Sequence, residues 1–140
     1  MEKFNLDRFL EAQEAIYNEA LSEITKGKKQ SHWMWFIFPQ IAGLGFSEYN
    51  VYYAIKNLEE AAQYLDHPIL GQRLVNITKA VLEINEKTAN EIFGKPDDRK
   101  LKSCMTLFSQ IKNTDPIFQK VLDKYFQGFK DEKTIQLLNN

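Results

Sequence analysis

Apolar residues recur at three- and four-residue steps along most of the chain, which is the spacing that lines one side of an α-helix. The clearest stretch runs from Leu6 to Ile24, and it predicts a first helix that Asn5 caps and that Gly27 ends. No other segment alternates apolar and polar residues with a period of two, so no half-buried β-strand is indicated. The pattern therefore predicts an all-α protein.

Further helix starts are marked by capping residues or by prolines. A capping side chain accepts hydrogen bonds from the free amides of a first turn, and a proline there has no amide to leave unpaired. In chain order these starts are Ser47, Asn57, His67–Pro68, Thr88 with Glu91, Pro96–Asp97, Asp115–Pro116 and Asp131. No linker or repeat separates them. We therefore expect one domain over residues 1–140, a compact bundle of about six to eight helices around a central apolar helix.

That central helix is predicted at the aromatic stretch Trp33–Phe38, six apolar residues in a row. Ser31 is a plausible N-cap before it, and Pro39 would stop it because proline clashes with the preceding turn. A buried strand would have the same composition, but a solitary strand has no partner for its backbone groups. A helix that is apolar on every side must be surrounded by protein.

Length, composition and charge agree with an ordinary globular domain. The 140 residues are 44% hydrophobic and 26% charged, which suffices for one core. Eighteen Lys and Arg against nineteen Asp and Glu leave a net charge of -1, so we expect no nucleic-acid partner. The longest apolar run is far shorter than the roughly twenty residues that span a bilayer, and we expect no membrane partner.

The remaining clues concern compartment and metal binding. Met1–Arg8 contains acids and no apolar run, unlike a secretory signal. Cys104 is the only cysteine and cannot form an internal disulfide, and with His32 and His67 it makes a thin ligand set for zinc. We expect a cytoplasmic protein that has no metal and no cofactor. The sequence identifies no protein partner.

A family resemblance is carried by the string Ser31-His32-Trp33-Met34-Trp35-Phe36-Ile37-Phe38-Pro39-Gln40. Shorter matching strings extend it over nearly the whole chain, among them Gly43-Leu44-Gly45, Tyr64-Leu65-Asp66-His67-Pro68, Ile92-Phe93-Gly94 and Pro96-Asp97-Asp98. The chain resembles an uncharacterised, mostly bacterial family of small, wholly helical proteins, some of whose members carry a "calpastatin" label. Cys104 departs from the serine that the resemblance implies. The resemblance implies the fold and brings no activity, cofactor or catalytic residue.

His32 is the candidate catalytic residue because it stands at the entrance of the predicted central helix. Burial and the positive end of a helix both disfavour the imidazolium form, so we expect a buried, neutral ring that can act as a general base. The alternative is a core histidine that bonds a backbone carbonyl, which is the commoner role of semi-buried histidines.

Four nearby residues are candidate binding groups. Trp33 and Trp35 could form a stacking surface for a planar ligand, although aromatic residues at helical spacing are more often plain core. Gln40 could bond the polar edge of that ligand. Ser47 follows the glycines at 43 and 45, where backbone amides could face an anion, but a simple turn with an N-cap explains the same pattern.

Asp98 and Lys100 are candidate anchors at the start of a later helix. Facing a cleft, the acid would hold a sugar hydroxyl and the lysine a phosphate; otherwise the acid simply caps its helix. Together these residues predict a protein that binds a nucleotide-like or sugar-phosphate compound in an aromatic pocket, and hydrolysis is the reaction that such a site could support. The alternative is a non-catalytic protein-interaction module whose aromatic string is pure core.

Overall fold

A computed structural model describes residues 3–140, and Met1 and Glu2 of the N-terminal segment lie outside it. The described part contains ten helices, no strand, and one isolated parallel bridge between Ile41 and Ile55. The helices are α1 (Asp7–Glu14), α2 (Tyr17–Thr25), α3 (Met34–Ile37), α4 (Glu48–Tyr52), α5 (Leu58–Asp66), α6 (Leu70–Leu82), α7 (Ala89–Phe93), α8 (Asp97–Ser109), α9 (Ile117–Phe126) and α10 (Glu132–Leu138). The all-α class is confirmed, with more and shorter helices than expected. Over residues 3–140, no helix is long and apolar enough to cross a membrane.

The first predicted helix is two helices, separated at Ala15 and Ile16. α1 packs on α3 whereas α2 packs on α6, and one straight helix could not reach both. The buried side chain of Gln13 fixes the end of α1 by donating to the Phe36 carbonyl at 2.8 Å and to the Tyr64 hydroxyl at 2.9 Å. The expected cap at Asn5 is wrong, because its side chain makes no cap bond to α1.

Most of the later helix starts are confirmed by their hydrogen bonds. Ser47 accepts from the Asn50 amide at 3.3 Å, and Thr88 and Glu91 form a reciprocal capping box. Asp131 accepts from the amide of Thr134 at 3.0 Å. Such contacts lie within four residues of sequence, so the sequence pattern alone identifies them.

The aromatic stretch forms a shorter helix than predicted, over Met34–Ile37 only. Ser31 does not cap it, because its hydroxyl donates to Glu23 at 2.6 Å instead. The stretch is buried except for Trp35, which is partly exposed. The longest run of buried residues lies in α8, over positions 103–108, and α8 packs on α5, α7, α9 and α10. The central helix of the fold is therefore α8.

A buried ion pair fixes the segment between α4 and α5. The Arg8 guanidinium lies 2.9 Å from the Glu60 carboxylate and donates to the carbonyls of Tyr52 and Ala54, both at 2.8 Å. These bonds hold the chain that leads to Ile55, whose amide donates to the Gln40 carbonyl at 2.8 Å. The loop from Pro39 to Ser47 is thereby tied to the body of the protein.

Helices α5 and α6 meet at Gly71. A Cβ atom at this position would lie 1.9 Å from the Leu65 carbonyl oxygen, far inside van der Waals contact. Only glycine allows the two backbones to approach this closely.

Candidate functional site

A cavity of about 320 Å³ lies where the loop after α3, the start of α8 and the residue before α10 meet. We call it the Lys100 cleft. Its walls are formed by Gln40, Leu44, Gly45, Asn50, Pro96, Arg99, Lys100, Ser103 and Asp131. The structure thus brings together two of the residues that the sequence singled out, Gln40 and Lys100.

A second, very narrow cavity adjoins the cleft and shares Gln40 and Asn50 with it. Its free volume is about 10 Å³, which is close to the minimum for one water molecule. Trp35 and Tyr49 line it, with ring centroids 5.1 Å apart in an edge-on arrangement. The two rings fill the space between them and leave no room for an aromatic ligand.

Lys100 links the aromatic wall to the cleft. Its ammonium lies 5.2 Å from the centroid of the Trp35 ring, within the range of a cation–π contact. It also lies 3.7 Å from the carboxylate of Asp97, one turn earlier in α8. The charged end of this side chain is therefore held at the cleft wall by two contacts.

The other polar groups of the cleft differ in how far they are already engaged. Within residues 3–140, the side-chain amide of Gln40 and the guanidinium of Arg99 make no hydrogen bond or ion pair. Asn50 donates to the Ser47 hydroxyl at 2.6 Å, and the carboxylate of Asp131 accepts from Thr134. The cleft offers two cations, one carboxylate and two amides, a set that can bind a phosphate and hydroxyl groups.

The structure corrects the expectation for His32. Its side chain is exposed rather than buried, and it lies in the turn before α3. It lines neither the Lys100 cleft nor the narrow cavity. The prediction of a buried ring is wrong, because α3 begins only at Met34 and His32 lies in the turn before it.

Three other predicted site residues line neither the Lys100 cleft nor the narrow cavity. Trp33 is fully buried, and its indole N–H donates to Glu23 at 2.9 Å, so neither ring face is free. Ser47 caps α4. Asp98 accepts from the side chain of Asn90 at 3.2 Å, which joins α8 to α7.

Glu23 is the carboxylate most strongly perturbed by its surroundings. Burial alone would raise its pKa, but hydrogen bonds from the Ser31 hydroxyl, the amides of Gln30 and Ser31, and the Trp33 indole outweigh it and lower the pKa to about 2. This group accepts four hydrogen bonds, and these bonds fix the turn after α2.

Sequence reasoning missed Asn50, Ser103 and Asp131 as cleft residues. Asp131 was recognised only as a helix cap, and its place in the cleft depends on how α10 packs on α8. Arg99 neighbours Lys100 in sequence, and that adjacency is the one local clue that could have pointed to it.

No metal site is found in the described part of the chain. Residues 3–140 contain no group of three or more His, Cys, Asp or Glu side chains placed to hold an ion. Cys104 is fully buried in α8, and burial raises the pKa of its thiol well above the ordinary value. An accessible thiolate nucleophile is therefore not part of this site.

Residues 3–138 match the profile of a family described as a protein of unknown function, DUF1810. The chain belongs to this family. A solved structure, that of the conserved hypothetical protein Rv1873 from Mycobacterium tuberculosis, is similar to this DUF1810 chain with 44% sequence identity and a TM-score of 0.97, over 99% of each chain. No curated protein matches it. The expectation of an uncharacterised helical family is confirmed, and no reaction comes with it.

Proposed function

We propose that this DUF1810 protein binds a small phosphorylated sugar or a closely similar anion in the Lys100 cleft. The observation that carries the proposal is the convergence of Arg99, Lys100 and Asp131 on one cavity of about 320 Å³. Small-ligand sites have volumes of about 300 to 1,000 Å³ and few convergent polar groups. Arg and Lys are the side chains that bind phosphate best, and carboxylates accept hydrogen bonds from hydroxyls.

The cavity walls favour a sugar phosphate over a nucleotide-like compound. No aromatic side chain is among the residues that line the cleft. The neighbouring rings of Trp35 and Tyr49 enclose only about 10 Å³, too little for a base to enter. In this proposal, Trp35 holds the Lys100 ammonium rather than stacking on the ligand.

The roles divide between the two sides of the cleft. Arg99 and Lys100 bind the phosphate, while Gln40 and Asp131 bond the hydroxyl groups. Hydrolysis is left out of the proposal, because His32 does not line the cleft and the candidate base is thereby lost.

The test is binding of a defined panel by calorimetry. Ribose 5-phosphate and glucose 6-phosphate are compared with the unphosphorylated sugars and with adenosine monophosphate. Arg99→Gln and Lys100→Gln should each weaken binding of the preferred sugar phosphate by about 10- to 100-fold, as expected for loss of a charge-assisted bond. Lys102→Gln is the matched control, because Lys102 lies on α8 over the Phe126 ring and does not line the cleft.

Two results would refute the proposal. One is the absence of binding to either sugar phosphate by the unmodified protein at millimolar concentration. The other is binding that Arg99→Gln and Lys100→Gln leave as strong as Lys102→Gln does.

A second candidate function, protein interaction, is favoured by the exposed apolar residues around α4. Phe46 is 83% exposed, Val51 61%, Tyr49 57% and Tyr52 51%. Clustered exposed apolar side chains mark interaction surfaces in soluble proteins. Association of two copies through this face would give a sedimentation coefficient that rises with concentration. The double variant Phe46→Ser/Val51→Ser should abolish that rise and leave sugar-phosphate binding unchanged.

A further inference from the structure

We infer that Lys29 and Asp97 are positioning residues that set the charge which Lys100 presents to the cleft. The inference builds on the proposed function. Asp97 lies between two lysines, with its carboxylate 2.9 Å from the Lys29 ammonium and 3.7 Å from that of Lys100. All three side chains are largely withdrawn from water, with exposures of 8% for Lys29 and 18% for each of the others.

The two contacts of Asp97 are unequal, and the difference assigns the roles. Lys29 makes the shorter contact, donates to the Ser31 carbonyl at 2.5 Å and lies 5.0 Å from the Trp33 ring. It faces a separate cavity and not the Lys100 cleft. Lys29 therefore neutralises the Asp97 carboxylate from the side that faces away from the Lys100 cleft.

Lys100 keeps a charge that it can offer to a ligand. Two cations and one anion leave one net positive charge in this group, and it lies at the cleft wall beside Trp35. Without Lys29, Asp97 would be left to pair with Lys100 and would repel an incoming phosphate. Partly buried charges of this kind are screened by salt much less than exposed ones.

The local charge can be measured without any ligand. The chain has two tryptophans, and Trp33 is fully buried whereas Trp35 is partly exposed beside Lys100. Quenching of the fluorescence by iodide, an anion, then reports the potential at Trp35, and quenching by neutral acrylamide reports its exposure. Trp35→Phe should remove the part of the signal that iodide quenches.

The experiment compares the ratio of iodide to acrylamide quenching constants in four proteins and one control variant. Lys29→Met should lower the ratio about twofold and Asp97→Asn should raise it about twofold, because a local potential changes the concentration of small ions nearby. The double variant Lys29→Met/Asp97→Asn has the same net charge as the unmodified protein and should restore its ratio. Lys28→Met is the matched control, since Lys28 is exposed and does not pair with Asp97.

The order of the four ratios decides the matter. Three results would overturn the inference. The ratio could shift with the same sign in both single variants, the double variant could have the ratio of Lys29→Met, or Lys28→Met could change the ratio as much as Lys29→Met does. A purely structural role would damage both single variants alike. If a single variant fails to fold, the double variant must match the unmodified protein, and adding Lys100→Gln to it must lower the iodide-to-acrylamide ratio.

The inference and the proposed function can fail separately. The order of the iodide-to-acrylamide ratios tests the charge arrangement, and the calorimetric panel tests the identity of the ligand. In the binding assay, Asp97→Asn should strengthen sugar-phosphate affinity several-fold and Lys29→Met should weaken it. Neither variant should alter binding of the unphosphorylated sugar.

Discussion

The side chains of Arg8 and Glu60 form an ion pair 2.9 Å long, and they are only 6% and 0% exposed. Arg8→Met leaves the Glu60 carboxylate buried without its charge partner, so we expect the free energy of unfolding to fall by about 3–5 kcal/mol. The double variant Arg8→Met/Glu60→Leu removes both charges and should cost less than the two single changes together. Urea denaturation measures all three.

The control is the exposed pair between Arg73 and Glu14. Its charged atoms are 3.9 Å apart and the Glu14 side chain is 79% exposed. Glu14→Gln should change stability by less than about 1 kcal/mol. Equal losses from Glu14→Gln and Arg8→Met would contradict the structural importance of the buried pair.

Glu23 should make the protein sensitive to acid. The carboxyl titrates near 4.5 in the unfolded chain and near 2 in the folded protein. Because the folded pKa is the lower one, the stabilisation is present above about pH 4.5 and is lost as the pH falls towards 2. The stability gap between the unmodified protein and Glu23→Gln should therefore shrink over this interval.

Unfolding by urea at a series of pH values measures that gap. Glu19→Gln is the control, since Glu19 makes only a long, exposed contact of 3.4 Å with the Ser31 hydroxyl. A gap that stays constant down to pH 2.5 would be incompatible with the bonding that the structure shows around Glu23.

Gly71→Ala should destabilise the protein although alanine is the better helix former. Propensity alone would stabilise α6 by about 1 kcal/mol. The new methyl group would instead meet the backbone carbonyl of Leu65, and relieving the clash should cost about 1–3 kcal/mol overall. Asn76→Ala, at an exposed position of the same helix, should be neutral or slightly stabilising. The melting temperature should fall for Gly71→Ala and should stay unchanged or rise slightly for Asn76→Ala.

Two buried threonines should respond oppositely to replacement by valine. The hydroxyl of Thr78 is buried without a hydrogen-bond partner among residues 3–140, so Thr78→Val should leave stability unchanged or raise it. The hydroxyl of Thr106 accepts from the Asp131 amide at 2.9 Å, and Thr106→Val should cost about 1–3 kcal/mol. Melting temperatures that fall equally in both variants would show that Thr78 has a partner after all.

How much of this molecule the sequence could predict depends on the range of the interactions involved. The caps at Ser47, Thr88 and Asp131 are made within a few residues, and the sequence pattern predicted each of them. The break between α1 and α2 has no local mark, because it follows from Gln13 bonding residues more than twenty positions away.

The candidate site shows the same division. Gln40 and Lys100, both candidates from the sequence alone, line the same cavity. His32 was assigned to the interior because six apolar residues follow it, but the direction of a side chain at a helix entrance depends on where the first turn closes. Asp131 lines the cleft because α10 packs on α8, and no local sequence pattern predicts that packing.

Cys104 is the only cysteine of the chain, and its burial makes its thiol a reporter on opening of the whole domain. The thiol lies in α8 with no exposed surface, and burial raises its pKa, so alkylating reagents cannot reach a reactive form while the helices are packed. Its labelling rate should therefore follow the rate or the equilibrium of global opening. The labelling rate of this one cysteine under native conditions would measure how often the core opens.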